Sequence, residues 1–129
     1  MDLRKLSLFF LWTRALLRGQ HNVHVIVGKE DNPRLPAGAV DAVLICNTYH
    51  EFSKPGLMLD HVFRSLRLGG RLVVVDRAGA TEAQHTHEVP LEVVEGQLRS
   101  QGFEIVSHDD SLIHRPGDDL RWLVTARKP

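Results

Sequence analysis

The chain has 129 residues, in which 16 lysines and arginines balance 16 aspartates and glutamates, and 43% of the residues are hydrophobic. That length fits one domain around one core, and the even charge argues against a nucleic acid or an anionic membrane as partner. The single cysteine, Cys46, excludes an internal disulfide; its apolar setting makes it an expected buried thiol, in keeping with a reducing cytoplasm.

Residues 1–20 read as an amphipathic helix. Leu3, Leu6, Phe10, Thr13 and Leu17 fall at helical spacing, Phe9 and Leu16 widen the stripe, and Gly19 is the stop. The apolar run from Leu6 to Trp12 follows Arg4 and Lys5 as in a signal peptide, but it is short, Arg14 and Arg18 interrupt it, and no small-residue cleavage site follows. It is also too short to span a bilayer. Residues 21–129 form the rest of a single domain. Val23 to Val27 is strand-like and closed by Gly28, and Pro33 and Pro36 make a loop of Lys29 to Gly38.

Asp41 to Cys46 is a nearly continuous apolar run, as expected of a central parallel strand covered on both faces. Pro55 opens a helix whose Leu59, Val62, Phe63 and Leu66 share a face, with Gly69 as its left-handed cap. Leu72 to Val75 is a second buried strand, Ala78 to His87 a polar loop, and Pro90 to Gln101 a helix with Leu91, Val94 and Leu98 inward and Gly102 as stop. Phe103 to Val106 and Leu120 to Ala126 are two final strands joined through a Pro116-Gly117 turn. Strand, loop, helix and strand from Asp41 to Asp76 make a parallel α/β unit, and the polar loop at the carboxyl end of its first strand is where open α/β sheets bind ligands.

Several chemistries lack their signatures: there is no G-x-S-x-G elbow, phosphate loop or zinc-protease helix. His85 and His87 form an H-x-H pair, but the other histidines have no ligand spacing, so no metal is expected.

Asp41-Ala-Val-Leu-Ile-Cys-Asn47-Thr-Tyr-His50 and Leu66-Arg-Leu-Gly69-Gly70-Arg-Leu-Val-Val-Val-Asp76 resemble the fourth-strand and fifth-strand motifs of the class I S-adenosylmethionine-dependent methyltransferases. Asn22 to Gly28 with Leu35-Pro36 is similar to that family's third strand and following loop. The Asn47-Thr-Tyr-His-Glu-Phe52 run, with His87 and Gly102-Phe103 downstream, resembles a small-molecule subgroup. The resemblance covers about residues 21 to 127. It implies a Rossmann-like sheet in the spatial order 3-2-1-4-5-7-6 with an antiparallel last strand.

Strands 3 to 7 can be supplied here, so the expected fold is a truncated α/β methyltransferase sheet. It is mostly parallel, with about five strands flanked by helices. Strand 1 with its glycine-rich cofactor loop and strand 2 with its acidic residue have no counterpart in the sequence. Such a sheet has exposed edges, which recruit partners. The favoured arrangement pairs strand 3 directly with strand 4, and a homodimer through the exposed edge or the N-terminal helix is the partner expectation.

The resemblance also implies roles. Glu30 or Asp31 would accept from the adenine amine of S-adenosylmethionine, and Cys46 and Asn47 would border its methionine portion. Tyr49, His50 and His87 would face a small-molecule substrate. His50 is the candidate catalytic base, since methyl transfer to a hydroxyl or protonated amine requires a proton acceptor. The implied activity is methyl transfer to a small molecule. The alternative is a non-catalytic methyltransferase-like remnant acting in protein association.

Overall fold

The computed structural model describes residues 5–20, 22–24, 26–29, 31–77, 89–113 and 120–129, the side chains of 5–8 and 113 excepted. Its elements are α1 (Lys5–Leu17), β1 (Val40–Cys46), a 3₁₀ turn (Tyr49–Glu51), α2 (Pro55–Ser65), β2 (Leu66–Arg77), α3 (Leu91–Ser100), β3 (Glu104–Ile113) and β4 (Arg121–Arg127). The four strands form one sheet in the order β1-β2-β4-β3. β1 and β2 run parallel, and β4 is antiparallel to both β2 and β3. The expected mostly parallel α/β sheet with an antiparallel last strand is what forms, and this order reproduces the 4-5-7-6 part of the arrangement that the resemblance implies.

Alternation along β2 and β4 decides which face is packed. Leu72 and Val74 from β2, with Trp122, Val124 and Ala126 from β4, are fully buried or nearly so. They meet Leu59 and Val62 of α2 and Leu91, Val94 and Leu98 of α3 in one cluster. Those helix positions recur every three or four residues, so each helix turns one stripe to the sheet. Each fully buried aliphatic side chain contributes roughly 1.5–3 kcal/mol. The Trp122 indole donates to the Val89 carbonyl at 2.9 Å, so its buried polar edge is satisfied.

Four expectations change. Among the described residues Val23, His24 and Ile26 lie in no strand and Val27 makes only an isolated bridge, so none of them extends the sheet beside β1 as the expected Val23 to Val27 strand would. β1 is therefore an edge strand among the described residues, not a central one, and Leu44 is 66% exposed. Among the described side chains of α1 the expected apolar stripe faces outward, with Phe10 and Leu17 63% and 83% exposed, while Ala15 is buried. Gly69 (φ 77°) does not cap α2, which ends in the extended Leu66. It lies within β2, where its N–H donates to the Lys128 carbonyl at 2.7 Å. The Pro116-Gly117 turn and the Ala78 to His87 loop lie outside the described residues.

Gly70 sits where chain segments crowd. A Cβ there would meet the Arg67 carbonyl at 2.7 Å and the Asp41 carbonyl at 3.1 Å, both backbone atoms. Gly96, in the middle of α3, has open space around it. Urea unfolding is therefore expected to show Gly70→Ala destabilised by about 2 kcal/mol and Gly96→Ala stabilised by ~0.5–1 kcal/mol.

Candidate functional site

The site is built where β1 and β2 end side by side. Cys46 is in register with Val75, and the next N–H, of Asn47, donates to the Val75 carbonyl at 2.8 Å. Asn47 then takes a left-handed backbone (φ 54°), which asparagine tolerates better than most side chains, and the chain turns off the sheet. The Thr48 hydroxyl donates back to the Cys46 carbonyl at 2.8 Å, and the 3₁₀ turn follows at once. Strand, turn and helix thus follow within a few residues, which fixes His50 close to the end of β2.

Asp76, one residue past Val75, points to the packed face and has no exposed surface. Its carboxylate accepts the His50 N–H at 3.0 Å and the Arg77 N–H at 2.8 Å. His50 Nδ1 lies 2.8 Å from Oδ1 and 3.0 Å from Oδ2 of the same group. A carboxylate offers only acceptors, so Nδ1 carries the proton, and in a neutral ring the acceptor nitrogen is then Nε2. That nitrogen lies 4.0 Å from Glu51 Oε1. The ring is nearly buried, at 8% side-chain exposure, and one carboxylate holds both its main chain and its imidazole.

The residues singled out from the sequence are placed unequally. Asn47 and His50 come together with Asp76 at the strand ends. The Asn47 carboxamide oxygen accepts from the Arg121 guanidinium at the start of β4. Cys46 is exposed, against expectation, because it lies on the uncovered face of an edge strand. Tyr49 is also not where expected. Its ring turns into the core beside Phe52, and its hydroxyl donates to Gln97 Oε1 of α3, so it is not an open pocket wall.

Asp31 sits in a tight turn closed by the Lys29 N–H to the Asn32 carbonyl at 2.7 Å and the reciprocal bond at 3.2 Å. Among the described residues no hydrogen bond or ion pair joins it to the strand-end cluster. Glu30 and His87 lie outside the described residues. A concave surface of about 680 Å³ runs along α1, lined by Phe10, Leu11, Thr13, Arg14, Leu17 and Arg18, none of which belongs to the strand-end cluster.

Sequence reasoning gave no role to Asp76 or Arg121. Asp76 left a readable signal, a lone acid ending an apolar strand. Arg121 left none, because only the insertion of β4 beside β2 brings it to Asn47.

No protein-family model matches the chain, and no curated protein does. Solved structures do. A SAM-dependent methyltransferase from Aquifex aeolicus matches with a TM-score of 0.79 at 21% identity, over 99% of this chain and 66% of its own. The fold is that of the S-adenosylmethionine-dependent methyltransferases. A Burkholderia thailandensis 1,6-didemethyltoxoflavin-N1-methyltransferase, solved with 1,6-didemethyltoxoflavin and S-adenosylhomocysteine, matches at 0.72 and 22% identity over 91% of this chain and 56% of its own. The [4+2]-cyclase SpnF matches at 0.82 and 20% identity, over 98% of this chain and 64% of its own. The chain thus spans just under two thirds of the Aquifex and SpnF structures, and the methyltransferase fold is also the fold of a protein named for ring formation.

Two measurements test this placement. Burial pushes the Tyr49 hydroxyl well above the ordinary tyrosine range. Its contribution to stability is full below about pH 10 and is lost as pH rises through the folded value. Since Tyr49 is the only tyrosine, ultraviolet titration should show no phenolate until the chain unfolds in alkali. Asp76→Asn gives up a charged acceptor under three donors and is expected to cost about 2–3 kcal/mol in denaturant melts.

Proposed function

We propose that this chain is an S-adenosylmethionine-dependent methyltransferase domain that methylates a small molecule, with His50 as general base. The observation that carries the reading is the carboxylate-held imidazole at the carboxyl end of β1, in a fold whose matches include methyltransferases. The bound cofactor would supply an electrophilic methyl group on a sulfonium. His50 Nε2 would accept the proton that a hydroxyl releases as its oxygen bonds the methyl carbon, or that an ammonium must lose before its nitrogen can do so, while the sulfonium–methyl bond breaks and S-adenosylhomocysteine leaves as a neutral thioether. Asp76 would keep the ring oriented and balance the charge it gains.

The residues present fit one side of the cofactor. Asn47, with a carboxamide oxygen and a strand-end backbone, would border its methionine portion together with Cys46, and Asp31 would accept from its adenine amine. The glycine-rich turn that allows close backbone approach is not among the sequence's motifs, so binding weaker than that of a complete site is the expectation. No helix among the described residues is long and apolar enough to cross a membrane. The exposed Cys46 thiol suits a reducing compartment such as the cytoplasm.

Isothermal titration with S-adenosylhomocysteine tests the reading. Saturable binding that weakens at least tenfold on Asn47→Ala is expected, and no heat at millimolar ligand would overturn it.

A second reading, association without catalysis, is favoured by one observation. The outer edge of β1 is unpaired among the described residues, with Leu44 exposed, and α1 exposes Phe9, Phe10, Leu11, Trp12, Leu16 and Leu17. An apolar edge of this kind pairs with a second copy. Light scattering should then give twice the chain mass, and Leu44→Lys should return a monomer.

A further inference from the structure

Arg121 is a half-buried residue whose guanidinium meets an uncharged partner. Arg64, Arg67, Arg99 and Arg127 each lie within 4 Å of an acid. Arg121 instead donates to the Asn47 carboxamide, and no carboxylate lies within ion-pair distance of it among the described residues. It is also directly opposite Arg77 in the β2–β4 ladder, so two arginines leave the same face of the sheet at adjacent positions. The pair stands at the carboxyl end of β2, where open α/β sheets bind ligands.

We infer that Arg121, with Arg77 beside it and Asn47 steadying it, binds an oxyanion carried by the acceptor substrate, a carboxylate or a phosphate. Guanidinium forks match both groups with paired hydrogen bonds. The Asn47 contact uses one of five donors, which leaves the rest of the fork for a ligand. Asp76 and Arg77 are consecutive, so the residue that holds His50 and one arginine of the pair leave β2 on opposite faces. An acceptor crossing the strand end would therefore have its charged group on the arginine side and its reacting atom toward His50. This assignment of substrate class rests on the methyl-transfer reading, whereas the anion site itself does not.

The test is titration of the full chain with inorganic phosphate and, separately, with benzoate. Chloride holds the ionic strength constant, and backbone amide shifts are followed by NMR. Saturable binding that shifts Asn47 and Arg121, and that weakens at least tenfold on Arg121→Gln, is the expected result; whichever probe binds tighter identifies the group. Arg121→Lys, which keeps the charge but not the fork, should lose part of the affinity, and its circular dichroism controls for folding. No saturable binding of either probe, or equal binding by wild type and Arg121→Gln, overturns the site. A parallel S-adenosylhomocysteine titration separates the two readings. Its failure beside intact anion binding overturns methyl transfer alone, and its success beside absent anion binding overturns the oxyanion site alone.

Discussion

A carboxylate with no exposed surface, Asp76, sits at the end of the strand between β1 and β4, and much of the local structure follows from keeping it satisfied. A buried charge without partners costs several kcal/mol even after relaxation. The three donors around Asp76 come from its own neighbour Arg77 and, twice, from His50, so the loop after β1 is tied to the end of β2. That tie selects the left-handed turn at Asn47 and the 3₁₀ turn after it. The group that anchors the loop here also sets the tautomer of the His50 imidazole.

The sheet is packed unevenly. On one face, α2 and α3 cover Leu72, Val74, Trp122 and Val124 completely or nearly so. On the other, Val73, Val75, Leu123 and Thr125 are half-covered and Leu44 stands in solvent. The Asp76 and His50 pair belongs to the packed side and gains rigidity from it. Arg77, Arg121 and Asn47 belong to the looser side, where Arg121 meets Asn47. The two groups of residues are thus separated by one strand, whose side chains alternate between the faces.

Much of the architecture could be read from residue order. The apolar runs of β2 and β4, the helical spacing of Leu59 and Val62 and of Leu91, Val94 and Leu98, and the stop at Gly102 (φ 100°) all appear where the pattern placed them. Local periodicity sufficed because apolar runs and three-to-four-residue apolar spacing mark a buried strand or helix face whatever segment packs on it. The candidate site was half legible: Asn47 and His50 stand out in the strand-end motif, and Asp76 ends an apolar run.

The rest depended on neighbours that periodicity does not report. Cys46 and Tyr49 occupy one short segment, yet the cysteine is exposed and the tyrosine is buried, because β1 lies at an edge and the 3₁₀ turn folds back over α3. The apolar stripe of α1 was visible as a stripe, but which side meets the domain is settled by what the domain presents, and there only Ala15 is buried among the described α1 side chains. Arg121 joins the strand-end cluster through a strand inserted 45 residues after Asp76, a contact between residues distant in the chain. The sequence by itself determined most of the elements, the inward stripes of α2 and α3 and the strand-end motif, since these follow from side-chain chemistry at local spacing. Only the tertiary structure decided the edge position of β1, the His50 and Asp76 clamp and the arrival of Arg121, since each requires two segments to be brought together by folding.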